Sequence, residues 1–246
     1  MTSTAERVAE RLDAVRGRVT AAAARAGRDP AEVSVLGASK VQPVEVVAAA
    51  LEHGLGLLGE NYVQEAAEKR PQIEALASER GFAAPRWHLI GALQRNKAKR
   101  AVELFDVVET VDRSSLADAL AKAVARDGAR SGGVLDVYLQ VNLSAEEQKA
   151  GAAEEALPAL FDHCVGREEL RVVGLMAIPA PVEDPADNRP AFARLRAWRD
   201  RLRERPGGED LRGLSMGMSR DFEIATEEGA TVVRVGSDLF GPRPPK

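Results

Sequence analysis

The sequence has few residues of several kinds, and each scarcity excludes a class of protein. Cys164 is the only cysteine among the 246 residues, which excludes an internal disulfide and an all-cysteine metal site. The three histidines, His53, His88 and His163, do not have metal-ligand spacing. No segment approaches about 20 uninterrupted apolar residues, and the N-terminal segment lacks the apolar centre of a secretion signal, so we expect a cytoplasmic protein without a membrane span.

The charge balance argues against one further class of partner. Asp and Glu outnumber Lys and Arg by 38 to 34, for a net charge of −4, so we do not expect broad electrostatic attraction to nucleic acid. The 45% hydrophobic and 29% charged residues are typical of a globular protein. The length suits one α/β barrel, and no repeat or linker interrupts the chain, so we expect one domain over residues 1–246.

Apolar, strand-like segments alternate with helix-like segments along the chain. Residues 4–27 predict an extra N-terminal helix. Segments such as 172–178 are apolar on both sides of the pleat, which is typical of parallel strands buried on both faces. The alternation predicts a (β/α)8 TIM barrel, with a doubly wound open sheet as the alternative. The predicted strands are 33–39, 56–59, 86–91, 105–110, 135–143, 171–178, 211–216 and 231–236, and the predicted later helices are 43–53, 62–80, 94–103, 114–127, 152–165, 187–204 and 220–228.

Polar and reactive residues follow several of these strands. In a barrel the carboxyl ends of all strands surround one opening, here called the mouth, where ligands bind. An amine at one strand end, with an arginine and a Gly-Ser turn at another, suits an aldehyde that carries a phosphate. This combination points to pyridoxal phosphate (PLP). The candidate binding residues are Lys40, Asn61, Met216, Ser219, Arg234, Gly236 and Ser237.

Lys40 is the candidate for covalent attachment. A lysine amine attacks an aldehyde to form an imine, and burial helps by lowering the pKa of the amine. A solvated lysine at the rim is the simpler interpretation of one lysine at a strand end. A third interpretation is an ion pair between Lys40 and some other phosphorylated metabolite.

Two segments near the end of the sequence could bind phosphate. The Ser219 hydroxyl either caps the helix that follows it or binds the anion. The Gly236-Ser237 turn offers backbone N–H groups and a second hydroxyl. Met216 either lines a flat cofactor or fills the core. His88 is interpreted as a buried, hydrogen-bonded barrel residue rather than a catalytic one.

Arg234 interrupts an apolar strand, so its side chain must point into the mouth or pair with a carboxylate. One interpretation is a structural salt bridge. In the other, the arginine faces the pyridine nitrogen of PLP. Because the guanidinium stays charged, it would keep that nitrogen unprotonated and make the ring a weak electron sink. Arg234 therefore favours cofactor holding over carbanion chemistry.

The segments that carry these residues together resemble the pyridoxal phosphate homeostasis proteins, single-domain relatives of the alanine racemase barrel. The resemblance implies a Schiff base between PLP and Lys40, phosphate binding by Ser219 and the Gly236-Ser237 turn, and Arg234 near the ring nitrogen. It also implies that Asn61 lies close to the cofactor or to Lys40. The family usually has Thr-Lys-Pro where this chain has Val41-Gln42-Pro43, which removes a basic residue beside the mouth. The resembling segments are 38–40, 59–65, 88–97, 174–179, 214–221 and 233–241.

Two functions remain open within that resemblance. One is a PLP carrier for intracellular PLP homeostasis, which buffers the cofactor or delivers it to PLP-dependent apo-enzymes without substrate turnover. The alternative is a PLP-dependent, racemase-like enzyme, which needs acid–base groups on two faces of a substrate carbanion. In the racemases the opposing group is a tyrosine from an additional β domain. Neither Tyr62 nor Tyr138 follows the barrel, so we expect a carrier, and a monomer.

Overall fold

Eight parallel strands close into a barrel in a computed structural model that describes residues 3–126, 133–144 and 150–242. Each strand pairs with its neighbours in sequence, and the first strand pairs with the last, where Leu36 is the register partner of Arg234. The predicted TIM barrel is therefore confirmed, and the open sheet is wrong. The strands are β1 (Ser34–Ala38), β2 (Leu57–Glu60), β3 (Arg86–Leu89), β4 (Val107–Val111), β5 (Leu135–Gln140), β6 (Leu170–Met176), β7 (Gly213–Met218) and β8 (Val232–Val235).

Helices follow the strands in the order that the sequence predicts. Some predicted boundaries are too wide, because short 3-10 turns precede three of the helices, at Arg95–Lys97, Glu154–Ala156 and Pro185–Asn188. The last helix was not predicted, since four residues are too short for a periodic pattern. The helices are α1 (Thr4–Arg25), α2 (Val44–Glu52), α3 (Val63–Arg80), α4 (Ala98–Leu104), α5 (Ser114–Arg126), α6 (Leu157–Val165), α7 (Arg189–Arg203), α8 (Phe222–Glu227) and α9 (Ser237–Phe240).

The predicted extra N-terminal helix is α1, and its first turn explains where it begins. The Ser3 hydroxyl accepts a hydrogen bond from the Glu6 backbone N–H, and the Glu6 carboxylate accepts one from the Ser3 N–H. This reciprocal pair is a capping box. The apolar face of α1 packs against α2, α8 and α9, so the helix joins the first and last parts of the barrel.

The main hydrophobic core lies between the strands and the surrounding helices, and smaller apolar clusters fill the barrel itself. Tyr138 lies inside, over the backbones of Gly174 and Gly213. A Cβ atom at Gly174 would lie 2.3 Å from the Tyr138 ring, so a larger residue there would displace the tyrosine. The part of the barrel below the mouth is therefore packed with side chains.

The described residues include neither a helix long and apolar enough to cross a membrane nor a group of three or more His, Cys, Asp or Glu side chains suited to a metal ion. Cys164 is buried, and burial raises the pKa of its thiol to about 12. The thiol is therefore protonated at neutral pH.

Candidate functional site

A cavity of about 620 Å³ opens at the mouth of the barrel. Its walls come from the carboxyl ends of β1, β2, β7 and β8 and from the loop after β6. Parallel strands bring these ends together although their sequences are far apart. Of the seven predicted site residues, those that line the cavity are Lys40, Asn61, Ser219, Arg234, Gly236 and Ser237.

Lys40 lies in a tight turn directly after β1. The Gln42 N–H donates a hydrogen bond to the Ser39 carbonyl oxygen at 3.0 Å, which closes the turn around Lys40 and Val41. Val41 has φ +63°, in the left-handed region of backbone conformation, and among the described residues it is the only non-glycine residue with a positive φ. A β-branched residue rarely adopts this conformation, so the turn that carries Lys40 is strained.

A buried cluster of Ser39, Glu60, Glu65 and Lys69, here called the Lys69 cluster, lies behind that turn. The Lys69 ammonium, 4% exposed, donates to Glu60 Oε1 at 2.5 Å, to the Ser39 carbonyl at 2.7 Å and to Glu65 Oε1 at 2.9 Å. Burial raises the pKa of Glu60, although Lys69 and Ser39 act in the opposite direction. The sequence does not reveal this cluster, because a Glu–Lys pair four residues apart on a helix is usually a solvated surface pair.

Two serine hydroxyls lie together on the other side of the cavity. The Oγ atoms of Ser219 and Ser237 are 3.3 Å apart, after β7 and β8 respectively. Ser219 does not cap the following helix, since Asp221 occupies the N-cap position of α8. A Cβ atom on Gly217, which has φ +88°, would lie 2.5 Å from Ala225, so glycine is required where β7 turns towards Ser219.

Arg234 extends from β8 into the cavity wall and is 4% exposed. Its guanidinium donates to Ser215 Oγ at 2.7 Å and to the Ala177 carbonyl oxygen at 2.8 Å. Burial lowers the pKa of Arg234, while the negative charges of Glu109 and Asp221 act to raise it. Within the described residues no carboxylate lies at salt-bridge distance from this guanidinium, so the structural salt bridge is wrong.

The partners of Arg234 continue into a second buried cluster, here called the Glu109 cluster, of His88, Glu109, Ser215 and Arg234. Ser215 Oγ donates to Glu109 Oε2 at 2.5 Å, and His88 Nδ1 lies 2.6 Å from Glu109 Oε1. Burial alone would raise the pKa of Glu109, but the His88 hydrogen bond and the charges of His88 and Arg234 outweigh it and lower the pKa. The predicted buried, hydrogen-bonded role of His88 is confirmed.

Glu109 and Ser215 are two further residues next to the site that were not among the predicted ones. A signal for Glu109 was present, because a glutamate inside the apolar segment 107–111 must find a buried partner. That partner could not be named, since His88 and Ser215 lie on other strands. Each cluster also contains one buried polar atom without a partner among the described residues, Glu60 Oε2 in the first and His88 Nε2 in the second.

Met216 is the predicted site residue that the structure does not bring to the cavity. Its side chain is fully buried in the core between the barrel and the helices. Successive side chains of a strand point to opposite faces, and Ser215 points inwards, so Met216 points outwards. Met218, 38% exposed, lines the cavity together with Ile178 and forms part of an apolar wall.

Asn61 is held at the mouth by close backbone packing against the end of β3. A Cβ atom on Gly91 would lie 2.2 Å from the Asn61 carbonyl oxygen, so only glycine permits this approach. The position of Asn61 on the cavity wall therefore depends on a residue from a different strand.

The known proteins that this chain resembles in sequence and in structure agree on one family. The model of the alanine racemase N-terminal domain matches residues 11–244. A pyridoxal phosphate homeostasis protein of Aquifex aeolicus is 42% identical over 95% of this chain and 97% of its own, and one of Pseudomonas aeruginosa is 43% identical over 96% of both. The solved structure of PipY from Synechococcus elongatus with PLP bound is 33% identical, with a TM-score of 0.80, and covers 95% of this chain and 100% of its own.

Proposed function

Because this chain belongs to the pyridoxal phosphate homeostasis proteins, a family built on the alanine racemase N-terminal domain, we propose that it binds PLP and buffers or delivers the cofactor. The observation that carries this proposal is the meeting of an amine, two neighbouring hydroxyls and a buried guanidinium around one cavity. PLP needs each of these groups, for its aldehyde, its phosphate and its ring nitrogen respectively.

Lys40 would form the covalent link. Its Nζ would hold the aldehyde carbon through a C=N bond in place of the C=O bond, with the carbonyl oxygen released as water together with the two amine protons. Its place on the cavity wall, half-buried within a closed turn, supports this role.

Ser219 and Ser237 would hold the phosphate, with the backbone at Gly236. Their hydroxyls come from the loops after β7 and β8, which bind phosphate in many barrels of this kind. Asn61 would contact the cofactor or Lys40 from β2, and Ile178 and Met218 would supply the apolar wall.

Arg234 would face the ring nitrogen, and this assignment favours a carrier over an enzyme. An arginine guanidinium keeps its proton because of its high intrinsic basicity, so it would donate a hydrogen bond to the ring nitrogen without protonating it. The tyrosines also give no support to racemisation, since Tyr138 is packed inside the barrel and Tyr62 is 59% exposed before α3. We propose that residues 1–246 act as one domain and as a monomer in the cytoplasm, with PLP-dependent apo-enzymes as recipients.

The proposal is tested by trapping the imine. Apo-protein is mixed with PLP, its visible absorption is recorded, and borohydride reduction followed by peptide mass spectrometry locates the labelled amine. We expect the label on Lys40, and a Lys40→Ala variant that lacks the absorption band. Lys99→Ala is the matched control, because the Lys99 side chain is 85% exposed on α4.

A label on another amine, or none, would contradict the proposal. Incubation of the PLP-loaded protein with L-alanine, followed by an assay for the D-enantiomer, examines the alternative. Many turnovers per protein molecule would identify a racemase-like enzyme instead. Sedimentation velocity of the loaded protein measures the oligomeric state, for which we expect one species of about the monomer mass.

A further inference from the structure

We infer that Glu65 and Lys69 are positioning residues that hold the Lys40 turn in its strained conformation and so prepare the amine for the aldehyde. This inference rests on the proposed function. Ser39 and Val41 flank Lys40 in this turn. The Ser39 carbonyl oxygen accepts a hydrogen bond from Lys69, and the Val41 N–H donates one to Glu65.

The contact to Val41 is the more informative of the two. Its N–H donates to Glu65 Oε1 at 2.5 Å, although the Val41 residue is 46% exposed and could donate to water instead. A hydrogen bond from an N–H group to a carboxylate is about twice as strong as a hydrogen bond between two neutral groups. This hydrogen bond therefore offsets part of the steric cost of the positive φ at Val41. Glycine or asparagine would adopt the same conformation at a lower cost.

Lys69 in turn holds the carboxylate of Glu65 in place. The ammonium lies 2.9 Å from the Glu65 Oε1 atom that accepts from Val41, and 2.5 Å from Glu60 Oε1. Ser39 Oγ donates to the same Glu60 oxygen at 2.7 Å. Helix α3 and the end of β2 thus bind the chain on both sides of Lys40, while the cluster is buried outside the cavity wall.

A clamped turn differs from a mobile one in the rate of covalent capture. A misplaced reacting group can slow a reaction by up to about 100-fold. The clamp touches none of the groups assigned to the phosphate or the ring. Loss of the clamp should therefore slow imine formation and leave non-covalent binding unchanged.

The test compares two ligands on the same set of proteins. Stopped-flow absorbance gives the rate of imine formation with PLP, and titration with pyridoxamine 5′-phosphate, which lacks the aldehyde, gives non-covalent affinity. For Glu65→Gln and Lys69→Met we expect the imine rate to fall about tenfold and the pyridoxamine phosphate affinity to change less than about twofold. Lys69→Arg, which keeps the positive charge, should recover part of the rate, and Lys99→Met should match the wild type.

A structural readout in the apo-protein makes the test independent of PLP chemistry. The Val41 amide should be protected from hydrogen exchange in the wild type and lose that protection in Glu65→Gln. Glu65→Gln is the central variant if Lys69→Met fails to fold, because the Glu65 side chain is 24% exposed and tolerates the change better.

The outcomes separate the two proposals. Equal imine rates in the wild type and Glu65→Gln, or an unprotected Val41 amide in the wild type, would overturn the positioning role. A wild type that forms no Schiff base on Lys40 would overturn the proposed function and the positioning role with it. Protection of the Val41 amide would then show only that the turn is clamped.

Discussion

The two buried clusters next to the cavity differ in what they hold. The Lys69 cluster lies outside the strand wall and ends on main-chain atoms, the Ser39 carbonyl oxygen and the Val41 N–H. The Glu109 cluster lies inside the barrel and ends on a side chain, the guanidinium of Arg234. The first therefore contacts the backbone on both sides of an amine, and the second contacts the guanidinium of a cation.

The clusters also oppose each other in acid–base behaviour. Glu60 has a raised pKa because burial outweighs its partners, whereas Glu109 has a lowered pKa because its partners outweigh burial. Glu60 retains a buried oxygen without a partner among the described residues, while both oxygens of Glu109 accept hydrogen bonds. Hydrogen bonds to the charged form favour a carboxylate anion, and Glu109 has a donor at each oxygen whereas Glu60 has donors at one.

Removal of the charge at the centre of the Lys69 cluster should have the largest effect. Lys69→Met leaves Glu60 buried without its ammonium partner, and the loss of one partner of a buried ion pair costs about 3–5 kcal/mol. We expect the free energy of unfolding in urea to fall by that amount. Lys99→Met, on the exposed face of α4, should change it by less than about 0.5 kcal/mol. A small loss for Lys69→Met would mean that the cluster is not a buried unit.

Removal of the Ser215 hydroxyl, which links Arg234 to Glu109, should lower the free energy of unfolding less than Lys69→Met does. It should also alter the cofactor site. Ser215→Ala leaves an oxygen of Glu109 and an N–H of Arg234 without their shared hydroxyl, which costs about 1.5–3 kcal/mol for bonds to charged groups. Because Arg234 then loses a fixed direction, the absorption maximum of bound PLP should shift. Urea unfolding and an absorption spectrum measure the two effects. An unchanged spectrum would remove Ser215 from the group that orients Arg234.

The opposite pKa shifts predict opposite pH dependences of stability. The Glu109 carboxylate contributes stability above the usual glutamate pKa of about 4.3, and this stability is lost as the pH falls through its lower folded value. Glu60 behaves in the reverse way, so its contribution is lost as the pH rises from about 4.3 through its raised folded value. Glu109→Gln should therefore reduce the pH dependence of the free energy of unfolding below about pH 4.3, and Glu60→Gln should reduce it above that pH. Each change can reach about 1.4 kcal/mol per pH unit. Urea titrations at several pH values measure both slopes, and equal slopes in the two variants would contradict the comparison.

The smallest effect is expected at the strained turn itself. Val41→Gly removes a steric cost of about 1–2 kcal/mol for positive φ and adds an entropic cost of about 0.5–1 kcal/mol for a freer unfolded chain. The variant should therefore be more stable by roughly 0.5 kcal/mol, visible as a small rise in Tm. A glycine exchange in the other direction, Gly236→Ala, cannot serve as the control for this stability measurement, because Gly236 lines the cavity. A clear loss of stability would show that Val41 is not strained.

The barrel and the strand-end residues could be predicted from the sequence because both depend on local pattern. Lys40 and Arg234 stand out as charged residues at the ends of apolar strands, and a barrel gathers such ends at one opening. Met216 could not be predicted correctly, because the sequence does not show which residues of β7 point inwards, and Ser215 rather than Met216 does so.

The two clusters could not be predicted for a different reason. Glu65 and Lys69 form a spacing that is common on solvated helices, and nothing in the sequence indicates that α3 turns this face towards the segment after β1. Glu109, His88 and Ser215 lie on three different strands, so their meeting depends on the register of the closed barrel. Buried ionic clusters are tertiary features, and they require the fold before they can be recognised.

The pairing of β1 with β8 has a consequence for when the proposed site comes into existence. Lys40 follows β1 and Arg234 belongs to β8, so the two residues are far apart in sequence and their strands are adjacent only in the closed barrel. The cavity that both residues line therefore requires the pairing of β1 with β8. A refolding experiment followed by the visible absorption of bound PLP should therefore report the closure of the barrel between β1 and β8, and not the formation of separate strands or helices.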